Sequence, residues 1–235
     1  SFLSKLTRHI LGVDADQLLA IGCRVIRRVQ TNESCLALTF DDGPSPAGTE
    51  KILDVLDSFK IPATFYLIGA NAQKYPQLAK RISASQHEIG SHGFAHLNYH
   101  RSLPHQVFAD VKRGGQVLLD ITGMKPRTFR APFGRFRLDT RMAFGTGNLI
   151  GWDIAPAWNE TSAEALAAYV NSRIQPGSIV LLHDGFGLSH EDPHGYVRGV
   201  TDALPMIIEY ALAQGYQLCT VSNLLERCPS ETLFA

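Results

Sequence analysis

Residues 36–46 read LALTFDDGPSP, an apolar run that passes directly into two aspartates and then into a Gly-Pro turn. Short β-rich runs of this kind recur along the chain and alternate with longer stretches of helical periodicity. The predicted strands are 36–40, 63–68, 87–90, 128–130, 149–153, 178–182 and 216–220. This alternation is typical of repeated β/α units, so the sequence predicts an α/β fold built on a parallel sheet or barrel.

The helices between these strands are predicted from apolar spacing. Ile52, Val55, Leu56 and Phe59 recur at i, i+3, i+4 and i+7, so one face of this helix is expected to pack on the sheet. Further helices are predicted at 75–83, 106–121, 163–174 and 200–214. Proline or glycine stands where most of these elements should end, which supports the boundaries.

The composition predicts one soluble catalytic domain with a neutral or mixed-charge substrate. A chain of 235 residues with 45% hydrophobic content can bury one sizeable core. Lys and Arg together number 22, as do Asp and Glu, so the formal net charge is zero. The chain therefore has no net positive charge that would favour binding to nucleic acid or to an anionic membrane surface. No apolar run reaches the roughly 20 residues that a membrane-spanning helix requires.

Residues 1–34 differ from the rest, because apolar positions of helical spacing are combined with a basic face. The apolar positions are Leu18, Leu19, Ile21, Val25 and Ile26, and the basic ones are Arg24, Arg27 and Arg28. We expect an N-terminal helical extension that packs on the barrel. A helix that lies on a membrane surface is the alternative, since a short basic amphipathic helix can serve either purpose.

The four cysteines, Cys23, Cys35, Cys219 and Cys228, contain no CxxC pair, and their spacing does not suit a structural zinc site. Cys219 lies in the apolar run YQLCTV and is expected to be a small buried side chain. The other three lie near the chain ends and could form disulfides. None is expected to be a nucleophile.

Asp41 and Asp42 end the first long predicted strand, at the edge where parallel β/α folds build their active sites. Adjacent carboxylates at a strand end point in different directions, so one can bind a cation while the other acts as a base. The same two residues could instead cap a helix or shape a turn, because Asp-Gly-Pro is ordinary turn chemistry.

Two histidines four residues apart follow another predicted strand, in the segment EIGSHGFAHLNYH at 88–100. One helical turn would bring His92 and His96 onto the same face, where both imidazoles could bind one cation together with a carboxylate. His100 lies a further four residues along the chain. It is expected either to have no role at the metal or to contact the metal ligands without binding the metal itself.

Two more strand ends each supply a candidate polar residue. Arg130 ends the strand in FRAPFG, and an arginine buried near a carboxylate would hold it ionised and oriented. His183 follows the apolar strand in GSIVLLHDG and is suited to donate a proton to a leaving group near neutral pH. Taken singly, each could be a surface or strand-end residue without a catalytic role.

In this order, TFDDGPSP, SHGFAH, RAPFG and LLHDG closely resemble the successive motifs of the polysaccharide deacetylase family. This family is also called the NodB homology domain or carbohydrate esterase family 4. The resemblance runs from about Cys35 to Glu226 and implies a distorted (β/α) barrel, commonly of seven strands, in agreement with the independent strand count. It also implies a catalytic domain at 35–235 that hydrolyses acetyl groups from a glycan.

The resemblance further implies a role for each motif residue. Asp42, His92 and His96 would bind a divalent metal, usually zinc, with cobalt or nickel able to serve. Asp41 would be the general base, Arg130 the residue that tethers it, and His183 the general acid. Trp158 and Leu181 would form the apolar pocket around the acetyl methyl group, although a simple core role for Leu181 is weighed equally. Phe133 would also bind substrate, with a backbone N–H near it donating to the oxyanion.

One departure from the family's pattern concerns His183. The family commonly places an aspartate before the tryptophan of its fourth motif to orient the catalytic histidine, but here GWDIAPAWN has Ala157 before Trp158. Without that carboxylate, His183 would lose a group that fixes its tautomer and raises its pKa. Asp153 could compensate from another backbone position, and lower activity or an altered pH preference is expected if it does not.

The leading expectation is an amide hydrolase acting on N-acetylglucosamine-type glycans such as peptidoglycan or chitin. The alternatives are O-deacetylation of acetylated xylan, deformylation or amide cleavage of another substrate, and a glycan-binding domain that has lost turnover. The resemblance also favours a location outside the cytoplasm.

Overall fold

The computed structural model describes residues 23–189, 192 and 195–227. Its strands are β1 (Val25–Ile26), β2 (Cys35–Asp41), β3 (Thr64–Leu67), β4 (Glu88–Ser91), β5 (Thr128–Phe129), β6 (Asn148–Ile150), β7 (Ile179–His183) and β8 (Gln217–Leu218). Its α-helices are α1 (Thr49–Phe59), α2 (Gly69–Lys74), α3 (Pro76–Ala84), α4 (Pro104–Thr122), α5 (Leu138–Phe144), α6 (Ala163–Asn171), α7 (Tyr196–Ala213) and α8 (Val221–Glu226). Short 3₁₀ turns occur at Tyr99–Arg101 and Pro132–Gly134.

The strands form a curled parallel sheet in the order β1-β6-β5-β4-β3-β2-β7, and β8 pairs with β2. Each of the seven predicted strands is present, which confirms the α/β class and the distorted barrel. The least accurate boundary is that of β6, which ends at Ile150 whereas the prediction continued to residue 153.

The predicted helices are present with shifted ends, and three short helices were missed. The helix predicted at 200–214 begins at Tyr196, one turn earlier. The helices α2, α5 and α8 span six or seven residues each, too short to show a clear apolar period. In α1, Ile52 and Leu56 of the predicted apolar face are buried, and Val55 and Phe59 are half-buried. Leu53, which was not predicted, is also buried.

The N-terminal prediction was wrong for Val25 and Ile26. These residues form β1, which pairs with Leu149 and Ile150 of β6, so the helical pattern does not extend to them. The chain then contacts the segment just before β7, where the Gly177 carbonyl accepts from the Val29 N–H at 2.9 Å. The remaining apolar positions of the predicted helix lie outside the described residues. Within those residues, no helix is long and apolar enough to cross a membrane.

Cys23, Cys35 and Cys219 are buried free thiols, and Cys228 lies outside the described residues. Burial raises the pKa of Cys219 to about 12, as expected for a small buried side chain without a nucleophilic role.

Candidate active site

A cleft of about 840 Å³ opens at the carboxyl ends of β2, β4 and β7. Every residue predicted for the site, except Arg130, lines this cleft. The register explains why, because Asp41 of β2 pairs directly with His183 of β7 in neighbouring parallel strands. Parallel strands present all their carboxyl ends at the same edge, which brings distant motifs together.

Arg130 lies beneath the cleft floor with no exposed surface. Its Nη1 donates to Asp41 Oδ1 at 2.8 Å and to Thr39 Oγ1 at 2.7 Å, while Nη2 donates to the Gly151 carbonyl at 2.8 Å. The guanidinium also stacks 4.2 Å from the ring centroid of Tyr66. The arginine is thereby fixed on several sides, so Asp41 is held in one orientation as a charge-assisted partner.

Asp42, His92 and His96 present three ligand atoms that all lie within 4.8 Å of one another. Asp42 Oδ1 lies 3.4 Å from His92 Nε2 and 3.1 Å from His96 Nε2. Burial would raise the pKa of Asp42, but the two imidazoles outweigh it and hold this pKa well below its ordinary value. Asp42 is therefore a carboxylate that faces two imidazole nitrogens.

Backbone groups orient two of these three side chains. The Gly187 N–H donates to Asp42 Oδ2 at 2.9 Å, which turns Oδ1 toward the histidines. His92 Nδ1 lies 2.8 Å from the Arg130 carbonyl and donates to it, so the lone pair of Nε2 points toward Asp42. Oδ1 itself accepts no hydrogen bond from any described residue. A buried carboxylate oxygen that no described residue satisfies, with two imidazole nitrogens 3.1 and 3.4 Å away, fits a bound divalent cation.

The sequence predicted that one helical turn would bring the two histidines together, and this was wrong. His92 directly follows β4, and a non-helical loop carries the chain to His96, whose φ is 51°. Asp110 of α4 holds this loop, since its carboxylate accepts from the Phe94 N–H at 3.1 Å and the Ala95 N–H at 2.8 Å. The Tyr99 hydroxyl donates to the same carboxylate at 2.8 Å. His100 is exposed and has no part in the cluster.

Backbone strain is concentrated at the cleft. Three of its residues, Asp42, His96 and Phe133, have φ values of 78°, 51° and 58°, in the left-handed region that side chains usually avoid. Each such residue costs about 1–3 kcal/mol and persists only where its surroundings enforce it. The strained backbone at these three residues therefore fixes the direction of their side chains in the cleft, at a cost to the stability of the fold.

His183 ends β7 and lines the cleft, and its Nδ1 is buried without a hydrogen-bond partner in the described part of the chain. Asp153 does not orient it. The Asp153 carboxylate accepts from the Ser178 hydroxyl at 2.8 Å and from the Ile179 N–H at 2.7 Å, at the opposite end of β7. Ala157 lines the same cleft as His183 but offers no polar side chain.

The predicted pocket residues line the cleft in different ways. Phe133 and Trp158 are each 58% exposed and present aromatic surface, whereas Leu181 is 6% exposed and belongs to both the core and the cleft. The Phe133 ring packs on His96, with centroids 4.6 Å apart. Among the described residues, no acceptor takes the Phe133 N–H.

Several residues of the site were missed from the sequence. Asp110 and Tyr196 lie in none of the four motif segments. Trp152 lines the cleft and lies in GWDIAPAWN, but no role was predicted for it. Asn71 is another, since its side-chain amide donates to the carbonyls of Asp42 and Gly187 at 2.8 Å each. These residues contact partners that are distant in the sequence. Neither hydrophobic periodicity nor motif spacing therefore predicts their place in the site.

Comparison with known proteins identifies relatives with this fold. The family model described as "Polysaccharide deacetylase" matches residues 28–145. A peptidoglycan-N-acetylglucosamine deacetylase of Bacillus cereus is 31% identical over 199 residues, which cover 83% of this chain and 70% of the relative. A chitooligosaccharide deacetylase of Bradyrhizobium sp. is 35% identical over 170 residues, covering 71% of this chain and 75% of the relative.

A solved structure shows the same architecture. The crystal structure of the Bc1960 peptidoglycan N-acetylglucosamine deacetylase, in complex with 4-naphthalen-1-yl-N-oxidanyl-benzamide, superposes with a TM-score of 0.79 at 29% sequence identity. The superposition covers 86% of this chain and 92% of that structure. The similarity therefore extends over nearly the whole described fold.

Proposed function

Because this chain belongs to the polysaccharide deacetylase family, whose reaction is the removal of acetyl groups from glycans, we propose that it hydrolyses the N-acetyl amide of N-acetylglucosamine-type units. The relatives' names support this substrate class, since they describe deacetylases of peptidoglycan N-acetylglucosamine and of chitooligosaccharides. Both substrates contain an acetylated amino sugar. A peptidoglycan substrate would also place the protein outside the cytoplasm.

The observation that carries the proposal is the convergence of Asp42, His92 and His96 beside a tethered Asp41. Two imidazoles and one carboxylate are ligands that zinc accepts in catalytic sites, and cobalt or nickel would suit the same set. When bound there, a divalent ion lowers the pKa of a water molecule and polarises the acetyl carbonyl.

Asp41 is proposed to act as the general base through Oδ2. Arg130 occupies Oδ1, so Oδ2 is the oxygen left to accept a proton from the attacking water. Oδ2 lies 3.8 Å from His92 Nε2, which places it directly beside the ligand cluster. The 2.8 Å contact with Arg130 prevents the Asp41 carboxylate from rotating away.

His183 is proposed to protonate the departing sugar nitrogen. Its Nδ1 is buried, so Nε2 is the nitrogen that substrate in the cleft can reach. The Phe133 N–H, which is not used within the described structure, would donate to the oxygen of the tetrahedral intermediate. The amide bond then breaks, acetate leaves, and the sugar retains a free amine.

The aromatic surfaces of Phe133 and Trp158 suit a sugar substrate, since both side chains are more than half exposed at the cleft. Leu181 lies at its wall and would contact the acetyl methyl group.

The test is acetate release from N-acetylglucosamine oligomers, from peptidoglycan and from acetylated xylan, with zinc-loaded protein and an Asp41→Asn control. We expect release from the two amino-sugar substrates that falls by at least about 100-fold in the control, the usual size of a general-base contribution. Preferential release from xylan would instead establish an O-deacetylase. Bound zinc without release from any glycan would favour a binding function or another amide substrate.

A further inference from the structure

His183 lacks the carboxylate that would orient it. Asp153 is the one acidic residue in segment 151–159, and both of its oxygens are occupied at the start of β7. His183 is four residues farther along that strand, a separation of about 13 Å. Some other group must therefore hold His183 if its ring is to keep a fixed orientation and tautomer.

Tyr196, the first residue of α7, is the neighbour best placed to do so. It is 1% exposed, and its ring meets the His183 ring edge to face, with centroids 5.6 Å apart and an interplanar angle of 72°. The Tyr196 hydroxyl is also buried without a partner among the described residues, as is His183 Nδ1. Two unsatisfied polar atoms on contacting buried rings are unusual in folded proteins and call for an explanation.

The chemistry of a neutral phenol suits this position. Burial raises the pKa of Tyr196, and the charges of Asp41 and Asp42 raise it further, so the hydroxyl keeps its proton. A phenol can donate to an unprotonated Nδ1 and can accept from a protonated one. In the second case the protonated ring can release its Nε2 proton to the substrate and end neutral, while Nδ1–H stays bonded to the phenol oxygen.

We propose that Tyr196 is the positioning residue for His183, its hydroxyl bonding to Nδ1 directly or through one water molecule. In this arrangement Tyr196 takes the role that a carboxylate at Ala157 would fill. The hydrogen bond need not be fully formed without substrate, because catalytic hydrogen bonds often tighten only in the substrate complex. The inference rests on the proposed function, which assigns His183 as the proton donor.

The first test reads the His183 tautomer and does not depend on turnover. Zinc-loaded protein labelled with ¹⁵N-histidine is compared with Tyr196→Phe by NMR, and His183→Gln identifies the resonances. We expect the Nδ1 resonance of His183 to shift when the Tyr196 hydroxyl is removed. Identical His183 resonances in the two proteins, with and without an N-acetylglucosamine oligomer, would overturn the proposal.

The second test uses rescue. Tyr196→Phe keeps the ring and should lower kcat by about 10- to 100-fold at unchanged KM, the loss typical of removing an outer partner of a functional histidine. Adding Ala157→Asp should restore most of this loss, because it returns a carboxylate to the same cleft. Tyr210→Phe, near the other end of α7 and 38% exposed, is the matched control and should leave kcat unchanged.

The outcomes separate the two claims. If the wild type releases acetate but Tyr196→Phe is equally active, or if Ala157→Asp restores nothing, Tyr196 does not position His183. If the wild type releases no acetate, the proposed function fails, and the NMR comparison still decides whether Tyr196 holds the ring.

Discussion

The guanidinium of Arg130 donates to Asp41 Oδ1 across 2.8 Å, and no part of the Arg130 side chain is exposed to solvent. Asp41 itself is 3% exposed. A charge pair buried this deeply loses its hydration, and each member depends on the other for compensation. The pair thus links the stability of the fold to the orientation of the proposed base.

Removal of the arginine should destabilise the protein strongly. Arg130→Gln leaves Asp41 buried without its cation, and we expect the free energy of unfolding to fall by about 3–5 kcal/mol. Urea denaturation followed by circular dichroism measures this change. The double variant with Asp41→Asn should lose less than the sum of the single variants, and simple additivity would show that the two side chains are not coupled.

Metal binding should depend on His96 and not on its neighbour at the same spacing. His96→Asn removes one of three converging ligands, so we expect the affinity for zinc to fall by at least about 10-fold. Competition with a chromophoric chelator gives the dissociation constant. His100→Asn is the matched control, because His100 is exposed and outside the cluster, and equal losses in both variants would exclude His96 as a ligand.

The loop that carries His96 should lose its alignment when Asp110 is changed. Asp110→Asn keeps the shape of the side chain but replaces one acceptor oxygen with an N–H donor that faces donors of the loop. We expect zinc affinity to fall by about 10- to 100-fold, as for other groups that orient metal ligands.

The control for this change is Asp120→Asn on the same helix. Asp120 is exposed and accepts from Gln116 at 2.7 Å, remote from the loop, so its variant should bind zinc like the wild type. If Asp110→Asn unfolds at the wild-type temperature and also binds zinc with wild-type affinity, the loop does not need this carboxylate.

The motif residues were predictable because their chemistry lies at the ends of buried strands. The runs before Asp41 and His183 are buried and, apart from Thr39, apolar, and these neighbouring parallel strands end at the same edge of the sheet. The pairing of Arg130 with Asp41 was implied by the family resemblance, because β4 and β3 separate their strands in the sheet. For Asp41 and His183 a local pattern and one topological rule were sufficient.

The supporting residues were not predictable, since their contacts arise from the tertiary fold. Asp110 reaches Ala95 from the following helix, and Tyr196 meets His183 across a loop that carries no periodic pattern. The left-handed backbone of His96 breaks the helical turn that the i, i+4 spacing suggested. Asp153 shows the converse case, in which a residue that the sequence offered does not reach the site. It was a candidate to orient His183, but its carboxylate accepts from the Ile179 N–H at the start of β7.

Acid sensitivity should arise partly from His87, at the end of the sheet opposite the cleft. Burial lowers its pKa from an ordinary value of 6.5, and its Nδ1 accepts from the Ala63 N–H at 3.2 Å, so the native ring is neutral. As pH falls below about 6.5 the unfolded chain binds a proton that the native state does not. Stability therefore falls with falling pH, by at most about 1.4 kcal/mol per unit, until the native pKa is reached.

The measurement is the free energy of unfolding between pH 7.5 and 5 for the wild type and His87→Gln. The variant should show the shallower decline, whereas His105→Gln, which removes an exposed histidine, should follow the wild type. A steeper decline in His87→Gln would contradict the neutral assignment.

The most direct test of the central claim is a titration of metal-free protein with zinc while acetate release from an N-acetylglucosamine oligomer is followed. The account predicts that activity is absent after chelation, rises linearly, and saturates at one zinc ion per chain, and that Asp42→Asn shifts or abolishes this saturation. Full activity in the chelated protein, or an unchanged titration in Asp42→Asn, would contradict it.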